Sequence, residues 1–519
     1  MATGPRLPSV AEIVELARGF GLALTEAESD AYQRLMGGAL RAYRRIDELT
    51  EPLPAVGYPR DPGRRPTPED NPYNAWYWRT TIEGAATGPL TGMRVGVKDA
   101  ICVAGVPMMN GSRVLEGLVP TVDATVVTRL LDAGATIAGK TTSEDCSFSA
   151  GGHTATYGPV RNPRKPTHSP GGSSNGSAAA LAAGDIELAL GADQGGSIRI
   201  PAAWCGVVGL KPTHGLVPYT GCMAIDPSID HVGPMANTVE DVARMLAVIA
   251  GPDPLDPRQR GVIPADYVHD YRPAIGKGVK GVRIATLKEG FGQSQWEDLG
   301  FWASEEVVDR KVRKAVRALE KAGAVVTEVS VPLHFDGARV LNALIVGGAT
   351  EIMLKGNGLG AGWSGFYHTQ MLETWGRWWR TRPDTLPATV KTVLLLGEHL
   401  HRTYQGRYYA RAQNLRPLIR RAYDDVLAAH DVIVLPTVPF RAAPLPPSDC
   451  SIEATMVHAF HNNGNTPQFN VTGHPAISVP CGMEDGLPIG LMIVGRHFDD
   501  VTVLQVADAV EKIGDWKTW

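Results

Sequence analysis

Hydrophobic positions recur at two spacings along this chain, and the changes of spacing lay out its elements. Near the start, Ile13, Leu16, Ala17 and Phe20 follow a helical period behind Ser9 and Glu12, a capping-box pair. Thr25 and Glu28 repeat that signal ahead of Tyr32, Leu35, Met36, Ala39, Tyr43 and Ile46, one apolar stripe opposite the wet face of "RAYRRIDE". The period then stops. Residues 51–72 hold seven prolines in "EPLPAVGYPRDPGRRPTPEDNP", which excludes a helix or a central strand. The pattern predicts a small helical N-terminal unit with a proline-rich linker over 1–72 and a main domain over 73–519. The stripes on the first two helices point to docking, either onto the chain's own body or onto a second copy.

From about residue 92 short apolar runs alternate with helical ones. "MRVGVKDAI" reads as a strand ending at Lys98, and "DATVVTRLLDAGATIAGKTT" as helix, glycine turn and strand. "SNGSAAALAAGDIELALGAD" repeats that order. "DVARMLAVIAG", "VRIATLKEG", "KVRKAVRALEKAGAVVTEVSVP" and "DVIVLPTVP" continue it. Such alternation predicts an α/β fold, with a large mixed, mostly parallel sheet covered by helices on both faces.

Composition narrows the function classes. Of 519 residues, 44% are hydrophobic and 20% charged, with a formal net charge of −4, so no basic nucleic-acid footprint is present. Six cysteines lie scattered without CxxC spacing, which reads as reduced thiols in a cytoplasmic protein and gives no zinc site. The opening "MATGPRLPSVAEIVELARGF" lacks the pattern of a signal peptide. No apolar run reaches the roughly 18 residues of a membrane span, so none is expected.

Three stretches could carry chemistry. Lys98 in "GVKDA" ends an apolar strand; alone it would be a solvated strand tip, but if buried it would shed its proton readily. "SPGGSSNGSAAALAAG", Ser169–Gly184, runs small residues and hydroxyls into a helix that Ser173, Ser174 or Asn175 could cap. Its "GSSNG" matches the G-x-S-x-G elbow at Ser174, yet Pro163, Pro166 and Pro170 exclude the strand such an elbow needs upstream. In "LALGADQGGSIRIPA", Gly195 and Gly196 bare the backbone before Ser197, and N–H groups from Gln194 to Ser197 could form a nest for an oxyanion. A serine nucleophile needs a proton acceptor and an anion hole. None of the three segments holds a suitable histidine base, so a lysine and a bridging serine remain as candidates.

"GVKDA", "GGSSNGSAAA" and "GADQGGSIRIPAAWCGVVGLKPTHG" resemble the signature of the amidase signature family of serine hydrolases. The resemblance is strongest over residues 90–235 and continues more weakly through "VLPTVP" and "NVTGHPAISVPCG". It implies a Ser-cisSer-Lys triad: Ser197 as acyl-forming nucleophile, Ser173 as relay across a cis peptide, and Lys98 as neutral base. It further implies an oxyanion hole from the amides of Gln194, Gly195, Gly196 and Ser197, and a stiffening pair, Asp193 and Arg199. Ala192, Gln194 and Asn175 depart from the commonest family wording. Together with "PYTG", "DHVGP" and "GRHFDD", the wording is similar to the enantioselective-type bacterial amidases of nitrile-degrading pathways, which also carry an extra helical N-terminal part linked to dimerisation.

The resemblance implies a cofactor-free, metal-free hydrolase of small aliphatic or aromatic carboxamides. The alternatives are the same chemistry on ester, carbamate, anilide or hydrazide bonds, and the A-type component of a glutamine-dependent amidotransferase. Substrate-binding candidates are Gln194, Gly195, Gly196, Ser174, Cys146 and Phe148, with Thr437 and Gln468 as weaker ones. Met371, Trp375, Trp378 and Trp379 fall on one helical face, which reads as packing first and as a wall of the acyl pocket second. His214 and His474 read as loop hydrogen-bonding residues.

Overall fold

The computed structural model describes residues 4–264, 267, 270–293 and 303–518. The chain divides into two compact units, Met1–Ala55 and Val56–Trp519. In the first, helices Val10–Gly19 and Glu26–Glu48 pack on each other, each opened by its expected capping box. Ile13 and Ala17 are buried in this unit. Most of the apolar stripe is not: Phe20 is 81% exposed, Leu35 69% and Ile46 62%.

The boundary falls at Ala55 rather than at residue 72. Proline excludes regular structure from 56–72, but an extended chain can still dock. Arg60 pairs with the buried Asp123 at 2.5 Å, Tyr58 Oη donates to Asp132 at 2.7 Å, and the Arg64 and Arg79 backbones exchange N–H···O bonds at 2.8 Å. This segment is a strap on the second unit.

Among the described residues the second unit holds one eleven-stranded sheet. Its strands are β1 Trp76–Glu83, β2 Arg94–Lys98, β3 Thr136–Thr141, β4 Leu188–Asp193, β5 Val208–Lys211, β6 His231–Ala236, β7 Arg283–Leu287, β8 Val325–Val329, β9 Val432–Pro436, β10 Ala476–Glu484 and β11 Leu487–Gly495. Their order is β1-β3-β2-β4-β6-β5-β10-β11-β9-β7-β8. The α/β class and the mixed sheet hold, with a smaller parallel share than expected. β3-β2-β4 and β9-β7-β8 run parallel within each group; the pairings between and outside them are antiparallel. A two-residue turn joins β10 to β11, too short for the crossover that a parallel pair requires.

Alternation along β4 separates two layers. Leu188, Leu190 and Ala192 enter the main core, while Ala189 joins a smaller cluster with Ala178 and Leu181 of the helix Asn175–Ala183, Ala202 of the helix Arg199–Cys205 and Ile198 just before it. Those helices approach closely. A Cβ on Gly191 would lie 2.7 Å from Ile198 Cγ1 and 3.1 Å from Ser174 Oγ. Helices Thr125–Asp132, Val239–Ile249, Glu306–Lys321 and Asp500–Lys512 supply the main core instead.

One helical run, His334–Lys355, is long and apolar enough by composition to cross a membrane, a length the sequence reading missed. Of its apolar window 56% is packed inside the protein, as befits a core helix. Leu341, Leu344, Val346, Met353 and Leu354 are buried there.

Candidate active site

Lys98 is the last residue of β2 and is fully buried. Its Nζ donates to Ser173 Oγ at 2.7 Å and reaches the Ala192 carbonyl at 3.4 Å. Burial drives its proton affinity down to about 7, against the opposing charges of Asp193, Glu144 and Asp230. A large fraction of this lysine is therefore an uncharged amine near neutral pH.

Ser173 is also fully buried and follows a cis peptide from Gly172. Its neighbour Ser174 ties two segments together. The Ser174 N–H donates to the Ser197 carbonyl at 3.2 Å, and its Oγ bonds both the N–H and the C=O of Ala192 at 3.2 Å. Ser174 is thus fully buried and braces the two segments against each other. It does not cap the helix that starts at Asn175 through its side chain; the Asn175 Oδ1 accepts the Gly176 N–H at 2.9 Å.

Ser197 stands in the turn between β4 and the helix Arg199–Cys205, 8% exposed. Its hydroxyl makes no hydrogen bond among the described residues. The turn is built around Asp193 and Arg199, both fully buried. Arg199 Nε and Nη2 each donate to the Asp193 carboxylate at 3.0 Å. That carboxylate also accepts Gly196 N–H at 2.8 Å, Ile198 N–H at 3.1 Å and Asn470 Nδ2 at 2.9 Å. Burial alone would raise Asp193; Arg199, Lys211 and Asn470 overcome it and hold the group well below the usual carboxylate range.

This geometry revises the expected nest of four amides. The Gly196 N–H is committed to Asp193, whereas the amides of Gln194, Gly195 and Ser197 donate to nothing among the described residues. The Gln194 side chain points back into the protein: Nε2 donates to Tyr219 Oη at 3.0 Å, and Tyr219 donates to the Met223 carbonyl at 3.0 Å.

Cys146 and Phe148 are buried in a second apolar cluster with Met108, Met109, Met223 and Trp375. Burial and the adjacent Asp145 push the Cys146 thiol well up, which disfavours the thiolate. Phe148 meets Phe460 edge-on at 6.2 Å. Met371, Trp375, Trp378 and Trp379 pack against the same cluster, and Trp375 Nε1 donates to the Met353 carbonyl at 2.7 Å. The packing reading of this stripe therefore holds. Thr437 bonds Ser478 Oγ at 2.8 Å, and Gln468 donates to the His334 carbonyl at 3.0 Å. His214 Nε2 meets the Pro227 carbonyl at 3.1 Å and His474 Nε2 meets Asp424 at 3.0 Å, both as loop ties.

Sequence reasoning missed Thr466, Asn470, Tyr219 and Glu144. Thr466 Oγ1 donates to the Gly195 carbonyl at 2.6 Å, and Asn470 Nδ2 to the Asp193 carbonyl at 3.0 Å. Some 270 positions separate these partners, so no local spacing announces them.

A family model described as Amidase matches residues 67–504. An enantioselective amidase of Rhodococcus rhodochrous is 41% identical over 98% of this chain and 96% of its own length. The A component of a glutamyl-tRNA(Gln) amidotransferase, from Exiguobacterium sibiricum, is 40% identical over 82% of this chain and 84% of its own. Among solved structures, native peptide amidase from Stenotrophomonas maltophilia superposes with a TM-score of 0.66 and 32% identity, covering 82% of this chain and 83% of that one.

Proposed function

The chain belongs to the amidase family and is an amide hydrolase; from that premise we propose that it converts a small aliphatic or aromatic carboxamide to the acid and ammonia or an amine through an acyl-enzyme on Ser197. The observation that carries this reading is the 2.7 Å bond from a buried Lys98 to Ser173.

Neutral Lys98 accepts the Ser173 proton while Ser173 accepts that of Ser197, whose Oγ adds to the substrate carbonyl carbon. The free amides of Gln194, Gly195 and Ser197 receive the resulting oxyanion. The proton now on Lys98 returns through Ser173 to the nitrogen as the C–N bond breaks, since an unprotonated amide nitrogen is a very poor leaving group. Water, deprotonated along the same relay, then releases the acid and restores Ser197. The apolar cluster around Cys146, Phe148 and Met223 supports an apolar acyl group.

Similarity to amidotransferase components favours a second reading, in which the chain acts with partners on glutamine. The match to the enantioselective amidase extends over the N-terminal unit as well, which supports a self-sufficient hydrolase. Exposed Phe20, Leu35 and Ile46 support a homodimer through these helices, and the free thiols support a cytoplasmic setting.

The test is ammonia release from a panel of amides by the purified chain, without ATP or tRNA, alongside fluorophosphonate labelling located by mass spectrometry. Turnover with label on Ser197, lost in Ser197→Ala, is expected. Full turnover by Ser197→Ala refutes the mechanism, and turnover that appears only with partner proteins transfers the function to the second reading.

A further inference from the structure

A carboxylate outside the three reactive side chains is buried against the relay serine. Glu144, in the segment after β3, has no solvent exposure. Its N–H donates to the Ser173 carbonyl at 3.3 Å, and a Cβ on Gly172 would lie 3.0 Å from its Cγ. Glu144 therefore touches both residues of the peptide that presents the relay hydroxyl, Ser173 through the Glu144 backbone and Gly172 through the Glu144 side chain. Its carboxylate accepts the Thr154 N–H at 3.0 Å, the Thr154 hydroxyl at 2.5 Å and the Asn175 Nδ2 amide. Asn175, buried at the first turn of its helix, holds its amide plane by accepting the Gly176 N–H.

Three neutral donors satisfy Glu144, and no cationic side chain forms an ion pair with it among the described residues. That distinguishes it from the other charges facing Lys98. Asp193, from β4, is answered by Arg199. Asp230, just before β6, is pushed well above the carboxylate range by burial and by Asp226. Cys222 also faces Lys98, and burial holds its thiol protonated. Asp145 adjoins Glu144, and burial raises it to about 7. Glu144 is left as the carboxylate beside the relay that neutral donors alone hold in place.

We propose that Glu144, steered by Asn175, is a positioning residue of the relay that holds the Ser173 peptide and supplies the negative charge against which Lys98 gives up its proton. The inference rests on the proposed triad and adds a partner to it. Catalysis needs neutral Lys98, and a nearby anion favours the ammonium form, so removing that anion extends activity toward acid.

The experiment measures kcat/KM against pH for the wild-type chain, Glu144→Gln, Glu144→Asp and Asn175→Ala. Glu144→Gln should lower the acidic limb by at least ~0.5 pH unit, Asn175→Ala, which removes a donor to the carboxylate, should lower it by less, and Glu144→Asp, which keeps the charge, should leave it in place whatever its kcat. A purely structural role would lower rates without moving the limb. Limbs that stay put in Glu144→Gln, or move alike in both Glu144 variants, overturn the proposal. If Glu144→Gln does not fold, Asn175→Ala decides alone: an unmoved limb overturns it. Absence of wild-type amide turnover defeats the functional reading instead, so the two failures are distinguishable.

Discussion

Exchanging Asp193 for asparagine keeps the side-chain shape and deletes one buried charge. Five donors converge on that carboxylate: Arg199 Nε and Nη2, the amides of Gly196 and Ile198, and Asn470 Nδ2. In Asp193→Asn the amide NH2 faces donors on one side, and the guanidinium keeps one bond to the amide oxygen together with the Thr466 carbonyl at 2.9 Å, Asn470 Oδ1 at 2.7 Å and the Met492 sulfur at 3.4 Å, none of them charged. A buried cation without its counter-charge costs about 3–5 kcal/mol. The surface pair Arg244–Glu240, with side chains 42% and 59% exposed, provides the control; Glu240→Ala should cost less than about 1 kcal/mol. Urea unfolding curves give both values as the midpoint change multiplied by the slope. Because Asp193 also anchors the Gly196 amide, fluorophosphonate labelling of Ser197 should slow at least ~10-fold in the folded protein. An Asp193→Asn chain within ~0.5 kcal/mol of wild type that is also labelled at the wild-type rate would refute the claim that this network scaffolds the turn.

Three other outcomes follow from the same geometry. With Lys98 titrating at about 7 and only its neutral form competent, kcat/KM should rise with pH through that value, and Lys98→Met should erase this limb along with most turnover. Gly196→Ala should abolish acylation: φ is +135°, and the added Cβ would sit 2.2 Å from Thr466 Oγ1 and 2.6 Å from Ile200 Cδ1, so the turn must move. Burial, aided by neighbouring positive groups, depresses His214 to about 3 and His497 to about 2, and lowers His231 and His474. Folded-state values below the unfolded value mean that the unfolded chain binds more protons once pH drops under about 6.5. Stability present above that pH is therefore lost on acidification, and urea midpoints should fall between pH 7.5 and 5.5; constant midpoints would contradict it.

Much of the candidate site is written locally. Lys98 closes an apolar strand, and Ser173 and Ser197 sit in long signature stretches whose small residues permit helices to lie close on β4. Strand and helix identities follow for a related reason, since alternation and capping are short-range signals; both N-terminal capping boxes form. What sequence spacing conceals is partnership. Nothing near Gly196 reveals that its amide is spent on Asp193, and nothing near Gln194 reveals Tyr219 as its side-chain partner. Proline marked 51–72 as irregular, but docking of the Arg60 side chain on Asp123 depends on a charge 63 positions away. Sheet direction was hidden similarly: the tight β10–β11 turn is local, whereas the pairing of β10 with β5 is not.

The ties from Thr466 and Asn470 to the Ser197 turn have a consequence for biosynthesis. A ribosome delivers Lys98, Ser173 and the Ser197 turn, the last some 270 positions before the residues that brace it. A nascent or truncated product stopping short of position 470 would carry those side chains without the frame that holds their turn. Closure of this turn thus waits on translation through Asn470, and folding of the segment cannot finish in the order in which it is made.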